Sequence, residues 1–217
     1  MKVYRDHYFL KAKKENYPAR SIYKLQELDS RFHVLRKNGH VLDLGAAPGS
    51  WSLGAAEKVG PDGVVLSCDL QPAGVEFPQN VHFMIGDIYA PTPEFLEALE
   101  EHGPFDLVMS DMAPATTGNK FTDQARSLGL ACAALELALA WLKPGGNFVV
   151  KIFMGPDIAE LENPMKDTFK SVRAFKPKSS RSESKETFYV GSGFKGQPSH
   201  KAEEGGEHPS AGEAGQS

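Results

Sequence analysis

Three carboxylates stand where short apolar runs of the chain end. They are Asp69 in Cys68-Asp69-Leu70, Asp87 in Gly86-Asp87-Ile88, and Asp111 in Met109-Ser110-Asp111-Met112. A further run, Val41-Leu42-Asp43-Leu44, passes directly into Gly45-Ala46-Ala47-Pro48-Gly49-Ser50-Trp51. Small residues in such a turn let the backbone come close to a ligand. The glycine spacing is G-x-x-x-G, which matches neither the dinucleotide fingerprint nor the phosphate loop. Nothing in it is built to cradle a pyrophosphate. An acid closing the second run is well placed to accept from ribose hydroxyls, and one closing the third can accept from an adenine amino group. Each acid alone reads more readily as a turn or cap residue; their joint placement at three successive strand ends reverses that preference and makes them a site. Acceptors without a phosphate cradle suit a nucleoside that lacks phosphates. S-adenosylmethionine is such a ligand, with Gly49 in its turn and Trp51 as an apolar wall.

A cation accompanies these acids. Lys151 stands in Val149-Val150-Lys151-Ile152-Phe153, flanked on each side by two apolar residues. Burying an ammonium group without compensation is costly. The ordinary alternative is a lysine that protects a sheet edge, but this run follows the turn Lys143-Pro144-Gly145-Gly146 and reads as central. A neutral lysine there would take a proton, and a cationic one would orient a hydroxyl and stabilise alkoxide charge. The residues leave both open. Lys24 and Glu186, taken singly, read as solvated charges.

The elements that must position these groups alternate along the chain. Strands are expected at Val41–Leu44, Val64–Cys68, Val81–Ile85, Phe105–Met109 and Asn147–Phe153, and at about 171–175 and 187–193. Helices are expected at about 20–31, 50–59, 92–102, 122–142 and 156–170. The longest is apolar through Leu128, Leu130, Leu135, Leu139 and Leu142. Short apolar strands alternating with amphipathic helices indicate an α/β fold, a mostly parallel sheet with helices on both faces. Ligands of such sheets bind beyond the C-terminal strand ends, where the three acids lie.

Composition narrows the setting. With 217 residues there is room for one α/β domain. Residues 1–195 are expected to form it, with 1–37 a basic N-terminal segment and helix, and 196–217 a disordered tail without large apolar side chains. No apolar run approaches the roughly 18 residues of a membrane span, and Met1-Lys2-Val3-Tyr4-Arg5-Asp6 carries no signal-peptide core. Cys68 and Cys132 make no disulfide framework and have no zinc spacing, so no metal is expected and the setting is a reducing cytoplasm. The net charge of −4 conceals an asymmetry. Residues 1–37 carry ten Lys/Arg against four Asp/Glu, residues 38–164 five against seventeen, and residues 165–196 eight against three. Basic flanks on an acidic middle suggest a polyanion held by both ends of the domain.

At this resolution of motif the chain resembles the FtsJ-type ribosomal RNA 2′-O-methyltransferases, near the bacterial members that act on a uridine of large-subunit (23S) rRNA. The resemblance spans about residues 4–195. It rests on Lys11-Ala12-Lys13, Arg20 to Leu25, Asp43 to Gly49 with Trp51, Cys68-Asp69-Leu70, Gly86-Asp87, Met109 to Pro114, Pro144-Gly145-Gly146, Val149-Val150-Lys151, and Ser179-Ser180-Arg181 through Glu186. It implies a Rossmann-like S-adenosylmethionine-dependent methyltransferase fold with a seven-stranded sheet. It also implies a catalytic tetrad of Lys24, Asp111, Lys151 and Glu186, with cofactor contacts at Gly49, Trp51, Asp69, Asp87 and Asp111. One departure stands out: the family's Tyr-Arg-Ser-Arg reads Tyr17-Pro18-Ala19-Arg20 here, one basic residue fewer.

The implied reaction is methyl transfer to a ribose 2′-hydroxyl of 23S rRNA in the large ribosomal subunit. The implied protein is a monomer in the cytoplasm that binds neither DNA nor membrane. RNA contacts are expected at Lys11, Lys13, Arg20 and Arg181, mostly to phosphate and sensitive to salt. Tyr23 is expected either to stack on a base or to pack in the core. The alternatives are the same chemistry on tRNA or another RNA, a non-catalytic RNA-binding assembly factor, and a nicotinamide-dependent dehydrogenase. The glycine spacing argues against the last, and the presence of all four tetrad residues argues against the second.

Overall fold

Apolar runs of five or six residues can enter a core only if their backbone groups pair with one another. Here they pair side by side in one sheet. The computed structural model describes residues 7–181 and 184–196. Its elements are α1 (His7–Lys14), α2 (Ile22–Phe32), β1 (His40–Leu44), α3 (Ser50–Val59), β2 (Val64–Asp69), β3 (Val81–Ile85), α4 (Pro93–His102), β4 (Phe105–Ser110), α5 (Lys120–Trp141), β5 (Leu142–Phe153), α6 (Ala159–Thr168), β6 (Phe169–Phe175) and β7 (Glu186–Phe194). The expected tail, beyond Gly196, lies outside the described residues.

The strand order is β3-β2-β1-β4-β5-β7-β6. The pairings from β3 through β5 are parallel, while β7 runs antiparallel to both β5 and β6. The mostly parallel seven-stranded Rossmann-like sheet is therefore the one expected. Its order reverses between β1 and β4, which places the ligand crevice beyond the C-terminal ends of those strands.

Two cores cover the two faces. On one, Leu42, Leu44, Phe148, Val150 and Ile152 meet Phe95 and Leu99 of α4, Ala131 to Ala138 of α5, and Leu161 and Met165 of α6. On the other, Val41, Met109, Val149, Phe188 and Val190 meet α1, α2 and α3 through Ala12, Ile22, Leu25, Leu28, Trp51 and Ala55. Side chains alternate between faces along a strand. Lys151 therefore falls with Val149 on the α2/α3 face, and Glu186 with Phe188 and Val190 on the same face.

Three elements depart from the sequence-based expectation. Helix α1 was not anticipated. Its eight residues are mostly exposed and basic, and only Ala12 is buried, with Tyr8 lying against Tyr23 at 5.3 Å. Strand β5 begins at Leu142 rather than Asn147, so Leu142 pairs with Phe105 and is not the end of the preceding helix. The ladder shifts between Phe105 and Leu107, and Gly145 (φ +85°) absorbs the turn inside the strand. Helix α6 is shorter than 156–170 at both ends. Tyr23 is a core residue with its hydroxyl donating to Glu15 Oε2 at 2.9 Å, which settles its two readings in favour of packing.

Phe148 is fully buried at the centre of the first core, with its ring 6.2 Å from that of Phe169. Phe148→Ala is expected to lower the free energy of unfolding by about 3–5 kcal/mol. A urea midpoint unchanged from that of the parent would contradict this packing.

Candidate active site

Register explains how the charges meet. Strands β4 and β5 are parallel with Ser110 opposite Val150, so Asp111, one residue beyond β4, arrives beside Lys151. Strands β5 and β7 are antiparallel with Lys151 opposite Phe188 and Phe153 opposite Glu186, so Glu186 sits one pleat further along the same face. Helix α2 crosses that face and supplies Lys24.

The four side chains form two close ion pairs. Lys151 Nζ lies 2.9 Å from Asp111 Oδ1 and also donates to the Asp111 backbone carbonyl. Lys24 Nζ lies 2.7 Å from Glu186 Oε1, above the Phe188 ring. Lys151 and Glu186 are each only 8% exposed. Burial would push the Glu186 carboxyl up. The hydrogen bond and charge of Lys24, the Ser180 hydroxyl and the charge of Lys151 outweigh it and hold the group below its ordinary value. Glu186 thus responds to both lysines, and the two pairs form one alternating row of charge.

Two cavities open at this row. One, of about 390 Å³, is bounded by Gly45, Ala47, Asp69, Asp87, Asp111 and Met112. The other, also about 390 Å³, is bounded by Arg20, Ser21, Lys24, Arg181, Ser184 and Glu186. Asp111 belongs to the first, Lys24 and Glu186 to the second, and Lys151 joins them.

In the first cavity, Asp69 accepts from the backbone N–H of Ala47 (2.9 Å) and of Gln71 (2.8 Å), and Asp87 accepts from that of Tyr89 (2.9 Å). Both acids hold their own turns and still face the cavity. Gly45 has φ +77°, and a Cβ there would lie 2.3 Å from Met112 Cγ, so the glycine keeps this approach open. Two residues had not been singled out for the site. Leu70 and Tyr89, on the cavity wall, are large, apolar and exposed. They follow the two acids by one and two positions, a signal the sequence carried.

Trp51 is a correction. Its indole is 2% exposed and lies in the α2/α3 core, stacked on Phe188 at 5.7 Å and donating from Nε1 to the Ser21 carbonyl at 2.9 Å. It does not wall the first cavity, because the first turn of α3 points it at the sheet. It braces the start of α2 and the ring beneath Lys24 instead. Gly49 is likewise off the cavity wall. At φ +115° it closes the turn under Val75 and Phe77, where a Cβ would be 2.7 Å from Val75.

Of the expected RNA contacts, Arg181 is exposed at the second cavity, and Lys11 and Lys13 are exposed on α1. Arg20 lines the same cavity, but its guanidinium donates to the Ser179 carbonyl. Glu27 of α2 accepts from the backbone N–H groups of Lys178 (2.7 Å) and Ser179 (2.8 Å). Arg20 and Glu27 therefore tie the loop leading to Glu186 onto α2, a role for Arg20 that charge counting had not separated from RNA contact.

Beneath the site lies a carboxylate that no motif reading assigned a task. Asp43 is fully buried, and its Oδ2 accepts from the Ser52 hydroxyl at 2.7 Å, which in turn accepts from Ser67 at 3.0 Å. Its Oδ1 has no donor among the described residues. Burial, offset in part by Ser52 and reinforced by the charges of Asp111 and Asp69, pushes its carboxyl up to about 7.

The FtsJ-like methyltransferase family model matches residues 17–194. The chain is 62% identical over 205 residues to the ribosomal RNA large subunit methyltransferase E of Oleidesulfovibrio alaskensis, covering 94% of this chain and 99% of that one. It is 63% identical over 196 residues to the protein of the same name from Nitratidesulfovibrio vulgaris strain DP4, covering 90% and 96%. Among solved structures, a Plasmodium falciparum chain described as a ribosomal RNA methyltransferase superposes with a TM-score of 0.71 at 28% identity, covering 83% of this chain and 100% of that one.

Asp43 makes a pH signature. The folded state holds its proton to about 7, whereas an unfolded aspartate releases it near 3.9. Between these values the native state binds more protons than the unfolded one, so this group costs stability progressively as pH rises through the window and nothing further above it. Asp43→Asn is expected to gain in melting temperature relative to the parent from pH 4 to 7, and then to run parallel. Parallel melting curves across the whole range would show that Asp43 is ionised in the fold throughout.

Proposed function

The chain belongs to the FtsJ-like methyltransferase family, and from that premise we propose that it transfers the methyl group of S-adenosylmethionine to the 2′-hydroxyl of a uridine in the 23S rRNA of the large ribosomal subunit. The observation that carries this reading is the ion-pair row between two cavities. One cavity offers acceptors and apolar rims, and the other offers cations. The names of the relatives, ribosomal RNA large subunit methyltransferases, support the substrate.

The first cavity fits the cofactor chemically. Asp69 and Asp87 present carboxylates for ribose hydroxyls and a ring amino group, and Leu70 and Tyr89 offer apolar surface. Gly45 leaves room where a side chain would intrude. When bound there, S-adenosylmethionine supplies an electrophilic methyl group on a sulfonium.

The chain's own residues do the rest. Arg181 and the exposed lysines of α1 draw in the phosphate backbone. Lys24, fixed by Glu186, and Lys151, fixed by Asp111, converge on the ribose hydroxyl and stabilise the alkoxide charge that develops as its oxygen bonds to the methyl carbon. Lys151 takes the hydroxyl proton while passing one of its own to Asp111, which becomes neutral, so the positive charge that leaves the sulfonium remains on Lys151, within the field of Glu186. The electron pair of the broken C–S bond stays on sulfur. Holding both reactants in line supplies a further large share of the rate.

The test uses radiolabelled S-adenosylmethionine and large ribosomal subunits from cells that lack the modification. The expected result is label on the 2′-oxygen of one 23S uridine. Lys151→Ala should lower the rate by about a hundredfold or more, with cofactor affinity within about threefold of the parent by calorimetry. Label on tRNA instead would keep the chemistry and move the substrate. Parent-like turnover by Lys151→Ala would remove Lys151 from the mechanism.

A further inference from the structure

A third cavity, of about 190 Å³, opens on the opposite face of β5 from Lys151. Its walls are the first turns of α5, through Phe121, Gln124 and Leu128, the end of β5, through Ile152 and Phe153, and the segment that follows, through Asp157. Its chemistry differs from that of the two cavities already described. It contains no lysine or arginine, so it is not made for phosphate. It is smaller than the roughly 300 Å³ at which sites for drug-sized ligands begin, a size suited to a planar ring rather than a whole nucleoside.

Phe121 is 72% exposed, the most exposed of the large apolar residues described. It contributes little to the core, and the helix turn that carries it is fixed without it: Asn119 accepts from the backbone N–H groups of Phe121 (3.0 Å) and Thr122 (3.2 Å). Gln124, 7% exposed, donates from Nε2 to the Met154 carbonyl. Its Oε1 finds no donor among the described residues. Asp157 adds a carboxylate at the exposed side. The cavity thus presents an exposed aromatic face and, at its outer side, the Asp157 carboxylate, with the partnerless Gln124 oxygen buried beneath its wall.

We propose that this cavity holds a nucleobase of the acceptor RNA strand, stacked on Phe121, with its N–H edge toward Asp157. The inference rests on the RNA substrate proposed above. Aromatic rings and edge acceptors are how unstacked bases are recognised in single-stranded RNA. The location is fitting, because Ile152 and Phe153 on its wall directly follow Lys151, with Phe153 opposite Glu186. A strand whose ribose lies over Lys151 and whose phosphates lie toward Arg181 can cross the end of β5 and drop a base on the far side. Phosphate is thereby held on one face of the sheet and a base on the other.

The test is binding of the full chain, with S-adenosylhomocysteine present, to large ribosomal subunits lacking the modification and to the protein-free 23S rRNA. Base stacking on an aromatic side chain predicts that Phe121→Ala weakens binding by about tenfold or more, while Phe121→Trp binds like the parent and cofactor affinity stays unchanged in both. Equal affinities for the parent and Phe121→Ala on either RNA that the parent binds would overturn the assignment. A parent that binds neither RNA would overturn it as well. The labelling experiment above then distinguishes the two readings: label on an RNA with no effect of Phe121→Ala leaves the proposed reaction intact and removes only this base site.

Discussion

The charge of Lys151 is the constraint around which the site is organised. An ammonium group near the C-terminal end of a central strand, 8% exposed, is tolerable only if it is paired where it lies. The neighbouring parallel strand ends at the right register to put Asp111 beside it, and the antiparallel strand on its other side begins with Glu186. Lys24 then balances Glu186 from α2. Removing one partner from such a set leaves a buried charge uncompensated, which in other proteins costs on the order of 3–5 kcal/mol. The pairing therefore ties charged groups from four parts of the chain into one unit that must assemble together.

Much of this was legible in the sequence because strand ends are local. Runs such as Phe105–Met109 and Val149–Phe153 announce themselves by composition, and the acids that close them fall at the crevice by topology alone. Asp69, Asp87 and Asp111 needed no tertiary information. Lys24 and Glu186 did, since neither is unusual among its neighbours and their 2.7 Å contact joins the first and last parts of the domain. Family resemblance brought them together where periodicity did not. Trp51 shows the opposite failure. An aromatic next to a ligand-binding turn reads equally well as a wall of the site or as core, and only the direction of the first turn of α3 decides between them. Helix α1 escaped notice because its basic residues hide a short apolar anchor at Tyr8 and Ala12.

Helix α2 links recognition to chemistry through contacts remote from either. Glu27 and Arg20 grip the backbone at Lys178 and Ser179, two residues from Arg181 and one loop from Glu186. Lys24 lies between them in the chain, on the first turn of α2, which Arg20 immediately precedes. Trp51 secures the start of that helix from beneath. The groups that would meet the phosphate backbone and those that would meet the ribose are thus carried on one braced body, so a shift of α2 moves both.

The antiparallel strand β7 is the last strand of the described residues, yet it occupies an interior place, between β5 and β6. A chain made from its N-terminus has β5 and β6 before it has β7, the strand that lies between them. Until then β5 presents an unpaired edge, and Lys151 has only Asp111 for company. The carboxylate that completes the tetrad arrives in the same segment that closes the sheet. Closing the sheet and completing the charge row therefore depend on one and the same segment.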